Sequence, residues 1–155
     1  MNDLNAIDMV EEFITNYEGL FGGFTKDDES SENSASAISH DGDNVNVVQF
    51  EISGDVNSEF NNRKAFIESK RKRLGPMGKL QTFEYPCDFT ESFGGILNFK
   101  LLGKSGGFFF YTAYKNKVLL FIQAYSTNGK GQISDEERNR LIGAACKTIK
   151  HFSSF

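Results

Sequence analysis

The stretch that decides the fold is Gly106-Gly-Phe-Phe-Phe-Tyr-Thr-Ala-Tyr-Lys-Asn-Lys-Val-Leu-Leu-Phe-Ile-Gln-Ala-Tyr125. Two aromatic and aliphatic runs flank Lys115-Asn116-Lys117, and Asn tolerates the left-handed backbone that a tight hairpin turn demands. The run reads as a β-hairpin. Side chains alternate across a strand, so Phe108, Phe110, Thr112 and Tyr114 share one face, and Phe109, Tyr111 and Ala113 share the other. Val118, Leu120, Ile122 and Ala124 likewise oppose Leu119, Phe121 and Tyr125. An antiparallel pair that is apolar on both faces belongs at the centre of its sheet, covered on both sides by helices.

A chain of 155 residues with 39% hydrophobic residues and 16 Phe fills the core of one domain, here residues 1–155. No segment approaches the ~18 uninterrupted apolar residues of a membrane span. Met1 to Asp8 lacks the basic and apolar regions of a signal peptide. Two cysteines, Cys87 and Cys146, are too few for a disulfide scaffold, which predicts a reduced, cytoplasmic protein. The net charge of −4 conceals a division. Residues 1–60 hold 14 acids against Lys26 alone, for −13, whereas residues 61–155 hold 16 bases against 7 acids, for +9. Such a chain either pairs its own halves or presents two surfaces of opposite sign.

Working outward, Ala6, Met9, Val10, Phe13, Ile14 and Tyr17 recur at helical spacing and predict an acidic amphipathic helix over about 5–21, capped by Asp3 or Asn5. The polar run that follows, about 25–40, shows no period and reads as a loop. Asp41-Gly-Asp-Asn44 reads as a turn, lacking the further ligands of a calcium loop. Val45 to Ile52 forms a strand. A helix capped by Asn57 or Ser58 then runs to Leu74, burying Phe60, Ile67 and Leu74 with Phe66 alongside, and stops at Gly75-Pro76. It ends in Lys70-Arg71-Lys72-Arg73. Cations there complement the helix dipole, and the run holds no aromatic platform, which argues against nucleic acid. Strands follow over Leu80 to Tyr85 and Ile96 to Leu102. Gly103-Lys-Ser105 joins strands and lacks the first glycine of a P-loop, so it is a turn. Ser134-Asp-Glu-Glu137 is a capping box opening a final helix that buries Leu141, Ile142, Ala145, Cys146, Ile149 and Phe152.

Catalytic patterns are missing from the sequence. No CxxC, HExxH, GxSxG or dinucleotide fingerprint occurs, and His40 and His151 stand at a turn and at a helix end. A Cys87–His151 dyad has no support from spacing. These residues predict no catalytic site, no cofactor and no metal.

The elements Val45 to Asp55, the helix to Leu74-Gly75, Leu80-Gln-Thr-Phe-Glu84, Phe93-Gly-Gly-Ile-Leu-Asn-Phe99, Phe109 to Tyr114, Val118 to Tyr125 and Ile149-Lys-His-Phe152 together resemble the PsbP-like and DcrB-like proteins, over about residues 45 to 152. The resemblance implies an α+β fold, an antiparallel sheet of about five or six strands covered by helices on both faces as an α/β/α sandwich, and a role in protein binding. The reading that follows is a non-enzymatic protein-binding module, an adaptor or chaperone of a secretion or envelope system. Its candidate partner-binding residues are Glu11, Glu12, Asp27, Asp28, Lys70, Arg71, Lys72 and Arg73. Two alternatives stay open: an immunity-type inhibitor acting through the acidic front, and a small-molecule binder or enzyme with its site between helix and sheet.

Overall fold

The computed structural model describes residues 4–17, 23–41, 44–74, 78–83, 89–101, 104–125 and 134–152. In chain order these form α1 (Ala6–Asn16), β1 (Thr25–Lys26), β2 (Ser34–Asp41), β3 (Asn44–Ile52), α2 (Val56–Leu74), β4 (Gly78–Phe83), β5 (Glu91–Leu101), β6 (Lys104–Lys115), β7 (Val118–Tyr125) and α3 (Asp135–Phe152). All the strands join one antiparallel sheet in the order β1-β2-β3-β7-β6-β5-β4. With the two-residue β1 set aside, six substantial strands remain, as expected. Helices α1 and α3 cover one face and α2 the other.

The central hairpin is β6–β7. Lys115 pairs with Val118 across the turn, and Asn116 adopts a φ of 54°, the left-handed backbone that its side chain tolerates. Phe109, Tyr111, Ala113, Val118, Leu120, Ile122 and Ala124 enter the core beneath α1 and α3, whereas Phe110, Tyr114, Leu119 and Phe121 enter the cores beneath α2. Burying such a side chain stabilises the fold by about 1.5–3 kcal/mol each, so an apolar strand in the centre of the sheet needs both layers. The buried Thr112 hydroxyl donates to the Leu120 carbonyl at 2.9 Å.

Several local readings change. α1 ends at Asn16, earlier than position 21: Tyr17 turns to an extended backbone while its N–H still donates to the Phe13 carbonyl. Asn5 is its N-cap, accepting from Ile7 N–H at 2.9 Å, and Asp3 lies outside the described residues. The run at 25–40 is mostly strand, because Ser34-Ala-Ser-Ala-Ile-Ser39 alternates in burial with only small side chains on the inner side. Ala35, Ala37 and Ser39 let α1 approach the sheet closely, and hydropathy registers such residues weakly.

α2 begins at Val56, ahead of both expected caps, Asn57 and Ser58, with Asp55 Oδ1 accepting from Ser58 N–H at 3.4 Å. Phe60 and Ile67 are buried as expected, but Phe66 is 39% exposed. β5 starts at Glu91 and takes in Phe93-Gly94-Gly95, since Gly94 passes directly under the Tyr111 ring, where a Cβ would lie 2.7 Å from Cδ2. β4 is displaced toward the N-terminus, at Gly78–Phe83. The expected turns at Asp41–Asn44 and Gly103–Ser105 are hairpin ends, with Asp41 paired to Asn44 and Leu101 to Lys104. Positions 42–43 and 102–103 lie outside the described residues.

Candidate partner-binding surfaces

The acidic and basic candidates occupy opposite faces. Glu11 and Glu12 lie on α1, which packs on β1, β2, β3 and α3. Glu11 is exposed and pairs with Lys26 of β1 at 3.9 Å, while Glu12 Oε1 accepts from Asn16 Nδ2 at 3.5 Å. Asp27 and Asp28 follow β1 directly, so the Glu11–Lys26 contact gathers the acids along one margin of the sheet. Asp27 Oδ1 accepts from Glu29 N–H at 3.4 Å, and its own N–H donates to Ser36 O.

Lys70, Arg71, Lys72 and Arg73 form the last turns of α2, which packs on β4 to β7 from the other side. Arg71 pairs with Glu68 at 3.3 Å, and Lys70 Nζ lies 5.0 Å from the centre of the Phe66 ring. Lys72 and Arg73 are exposed and have no acidic partner among the described residues. The sheet therefore stands between α1 and α2, and among the described residues none of the four candidate acids pairs with the basic helix end.

Sequence reasoning missed the aromatic ground beside those cations. Phe66 meets Phe110 at 6.4 Å and Phe121 at 6.0 Å, Phe110 meets Phe108 at 5.8 Å, and Phe108 meets Tyr125 at 4.5 Å. Arg63 lies over Phe121 at 5.2 Å and holds Glu51 of β3 at 3.2 Å, while Lys64 lies over Phe60 and Phe93. The spacing of Arg63, Phe66 and Lys70 marks one face of a helix, and this was the available signal. On the same side of the sheet Ser36, Ile38, Val45, Val47 and Gln49 stay half-buried, whereas their alternates Ala35, Ala37, Asn46, Val48 and Phe50 are buried. Among the described residues no helix closes this half of the face as α1 closes the other side.

A cavity of about 360 Å³ opens between α1 and α3, lined by Asn16, Arg140, Gly143, Ala144 and Lys147. It is formed by two helices, not by helix and sheet, and its walls carry no nucleophile and base. Arg140 pairs with Glu136, and the cations face the end of α1, whose last turn has no basic residue of its own. His40 is exposed on β2, and His151 is exposed on α3 with its ring edge-on to Phe152.

Cys146 is disulfide-bonded, a pairing that the sequence reading did not predict. The other cysteine of the sequence, Cys87, lies outside the described residues. Among the described residues no group of three or more His, Cys, Asp or Glu could hold a metal, and no helix is long and apolar enough to cross a membrane. Compared with protein-family models, with curated proteins and with solved structures, the chain matches none.

Proposed function

We infer that the protein is a non-enzymatic protein-binding module of the adaptor or chaperone kind. The observation that carries this reading is the separation of the candidate charges, since Glu11, Glu12, Asp27 and Asp28 lie on α1 and at the β1 margin while Lys70 to Arg73 end α2 on the other side of the sheet, and the two groups do not pair with each other. The resemblance to PsbP-like and DcrB-like proteins supports it by analogy.

The test is affinity capture of the tagged chain from its own cells at low and then high salt. A stoichiometric protein lost at high salt is the expected result, and no protein at either salt would end the reading.

The gathering of Glu11, Asp27 and Asp28 around Lys26 favours a second reading, an inhibitor whose acidic margin covers a basic site on its target. Joint replacement Glu11→Gln, Glu12→Gln, Asp27→Asn and Asp28→Asn then abolishes capture. Capture that survives the four replacements excludes this reading and leaves the first.

A further inference from the structure

We propose that the half-open sheet face beside α2 is the docking surface of the module, and that its occupant is a protein segment combining apolar anchors with acidic side chains. The proposal rests on the protein-binding reading and adds to it where the partner sits and what chemistry it carries.

The floor comes from alternation. Ile38, Val45 and Val47 project to the α2 side of β2 and β3, and Val47 pairs with Gln123, which donates to the Tyr125 hydroxyl at 3.1 Å. Tyr125 contacts Phe108, which carries the aromatic row from α2 to β7, and beyond Gln123 the side chains of Val47, Val45 and Ile38 continue the same side of the sheet. These side chains are each half-buried, and Phe66 rises at the margin as the one large hydrophobic that stays exposed among the described residues. A side chain of this size left in water at the border of an open floor is an anchor of the kind that interfaces use.

Cations outnumber acids along α2, where Arg63, Lys64, Lys70, Arg71, Lys72 and Arg73 face Glu59 and Glu68. Glu51 and Glu68 are held by Arg63 and Arg71, while Glu59 stands in the first turn of α2 and Glu91 beside Tyr114, away from the helix's last turns. Lys70 stacks on Phe66, and Lys72 and Arg73 carry charge with no acidic neighbour described. A partner lying along the floor and reaching Phe66 therefore meets apolar surface below and the cation-rich α2 at its side. The complementary occupant has apolar residues flanked by Asp or Glu, so that charge sets orientation and rate while the aromatic floor holds it. A nucleic acid would be gripped by cations along its backbone, whereas β2 and β3 hold no Lys or Arg and present Ser36, His40, Gln49, the paired Glu51 and aliphatics on this side.

The experiment selects random peptides on the immobilised full chain by phage display and measures the winners by fluorescence anisotropy. Acidic, apolar-rich sequences should be enriched. Their affinity should fall about tenfold or more in Phe66→Asp and in the pair Lys72→Glu with Arg73→Glu, and should fall with salt. Amide shifts on peptide addition should centre on Ile38, Val47 and Tyr125. All the substituted residues are exposed, and circular dichroism of each variant checks that the fold is kept.

Winners that are basic, or whose binding is lost only with the four replacements on the acidic margin, overturn the surface while leaving the module reading intact. Tight binding of oligo-dT lost in the same α2 variants, with no peptide enriched, overturns both. Self-association in sedimentation that Phe66→Asp abolishes makes a second copy the occupant and overturns the proposed partner chemistry.

Discussion

The Tyr17 hydroxyl, just past the end of α1, donates to the carboxylate of Glu137, a side chain only 1% exposed in the first turn of α3. Ser134 meanwhile caps that helix by accepting from Glu137 N–H at 3.2 Å, one half of the capping box. Glu137 thus joins the end of one helix to the start of another across 120 residues. Tyr17→Phe should cost about 1.5–3 kcal/mol, the range for a hydrogen bond to an ionised group. In a double-mutant cycle with Glu137→Gln, the second replacement should cost much less once the first is made. Urea denaturation showing full additivity would mean that the contact carries no coupling.

Two glycines should respond in opposite directions. At Gly94 a Cβ would meet the Tyr111 ring at 2.7 Å, and Tyr111 is fully buried in the main core, so Gly94→Ala should destabilise by about 1–3 kcal/mol. At Gly143, exposed on α3, a Cβ meets nothing within 4 Å, and Gly143→Ala should gain up to about 1 kcal/mol from helix propensity. Thermal unfolding of both variants checks the contrast, and equal signs would contradict it.

Alkaline unfolding should report on Tyr114. Burial raises its phenol above the ordinary 10.0, and the negative charge of Glu91 and its hydrogen bond to the hydroxyl raise it further. Between the ordinary and the raised value the folded chain binds more proton than the unfolded one, so stability falls as pH rises. The contribution is complete below about pH 10 and is lost as pH passes through the folded-state value. Stability of the parent should therefore decline more steeply than that of Tyr114→Phe above about pH 10. Parallel curves for the two proteins would remove Tyr114 as the cause.

The disulfide at Cys146 predicts that the denatured, unreduced protein fails to react with a thiol reagent and that reduction exposes thiols. Reduction, or Cys146→Ser, should lower stability by about 2–5 kcal/mol, the usual cost of removing a native crosslink from a small domain. A free thiol titrating at once in the denatured, unreduced chain would contradict the bond.

Wherever burial was bought with large side chains, the fold could be read directly. Phe108 to Tyr125 announced a central hairpin, and the structure places its two faces in separate cores. Ala35, Ala37 and Ser39 hid a strand, because a sheet that must admit a helix closely selects for smallness, and smallness carries little hydropathic contrast. The candidate charges were visible as runs, but their partition depends on which face each helix covers, a long-range property that no local window contains. Phe66 was misread for a related reason: helical spacing places it near Phe110 and Phe121 but cannot say how far α2 extends over the sheet.

In the sheet order, β7 lies between β3 and β6, so the front of the chain is joined to the β4–β6 meander through a strand made near the end. Val47 finds Gln123 only after more than seventy intervening residues have been synthesised. The β2–β3 ribbon can close locally, yet its inner margin has no neighbour until Val118 to Tyr125 leave the ribosome. Closing so long a loop is slow relative to forming a hairpin, and an unfilled strand margin attracts other chains. The emerging polypeptide consequently passes through an interval in which a chaperone would find an unfinished sheet, and the arrival of one eight-residue segment ends it.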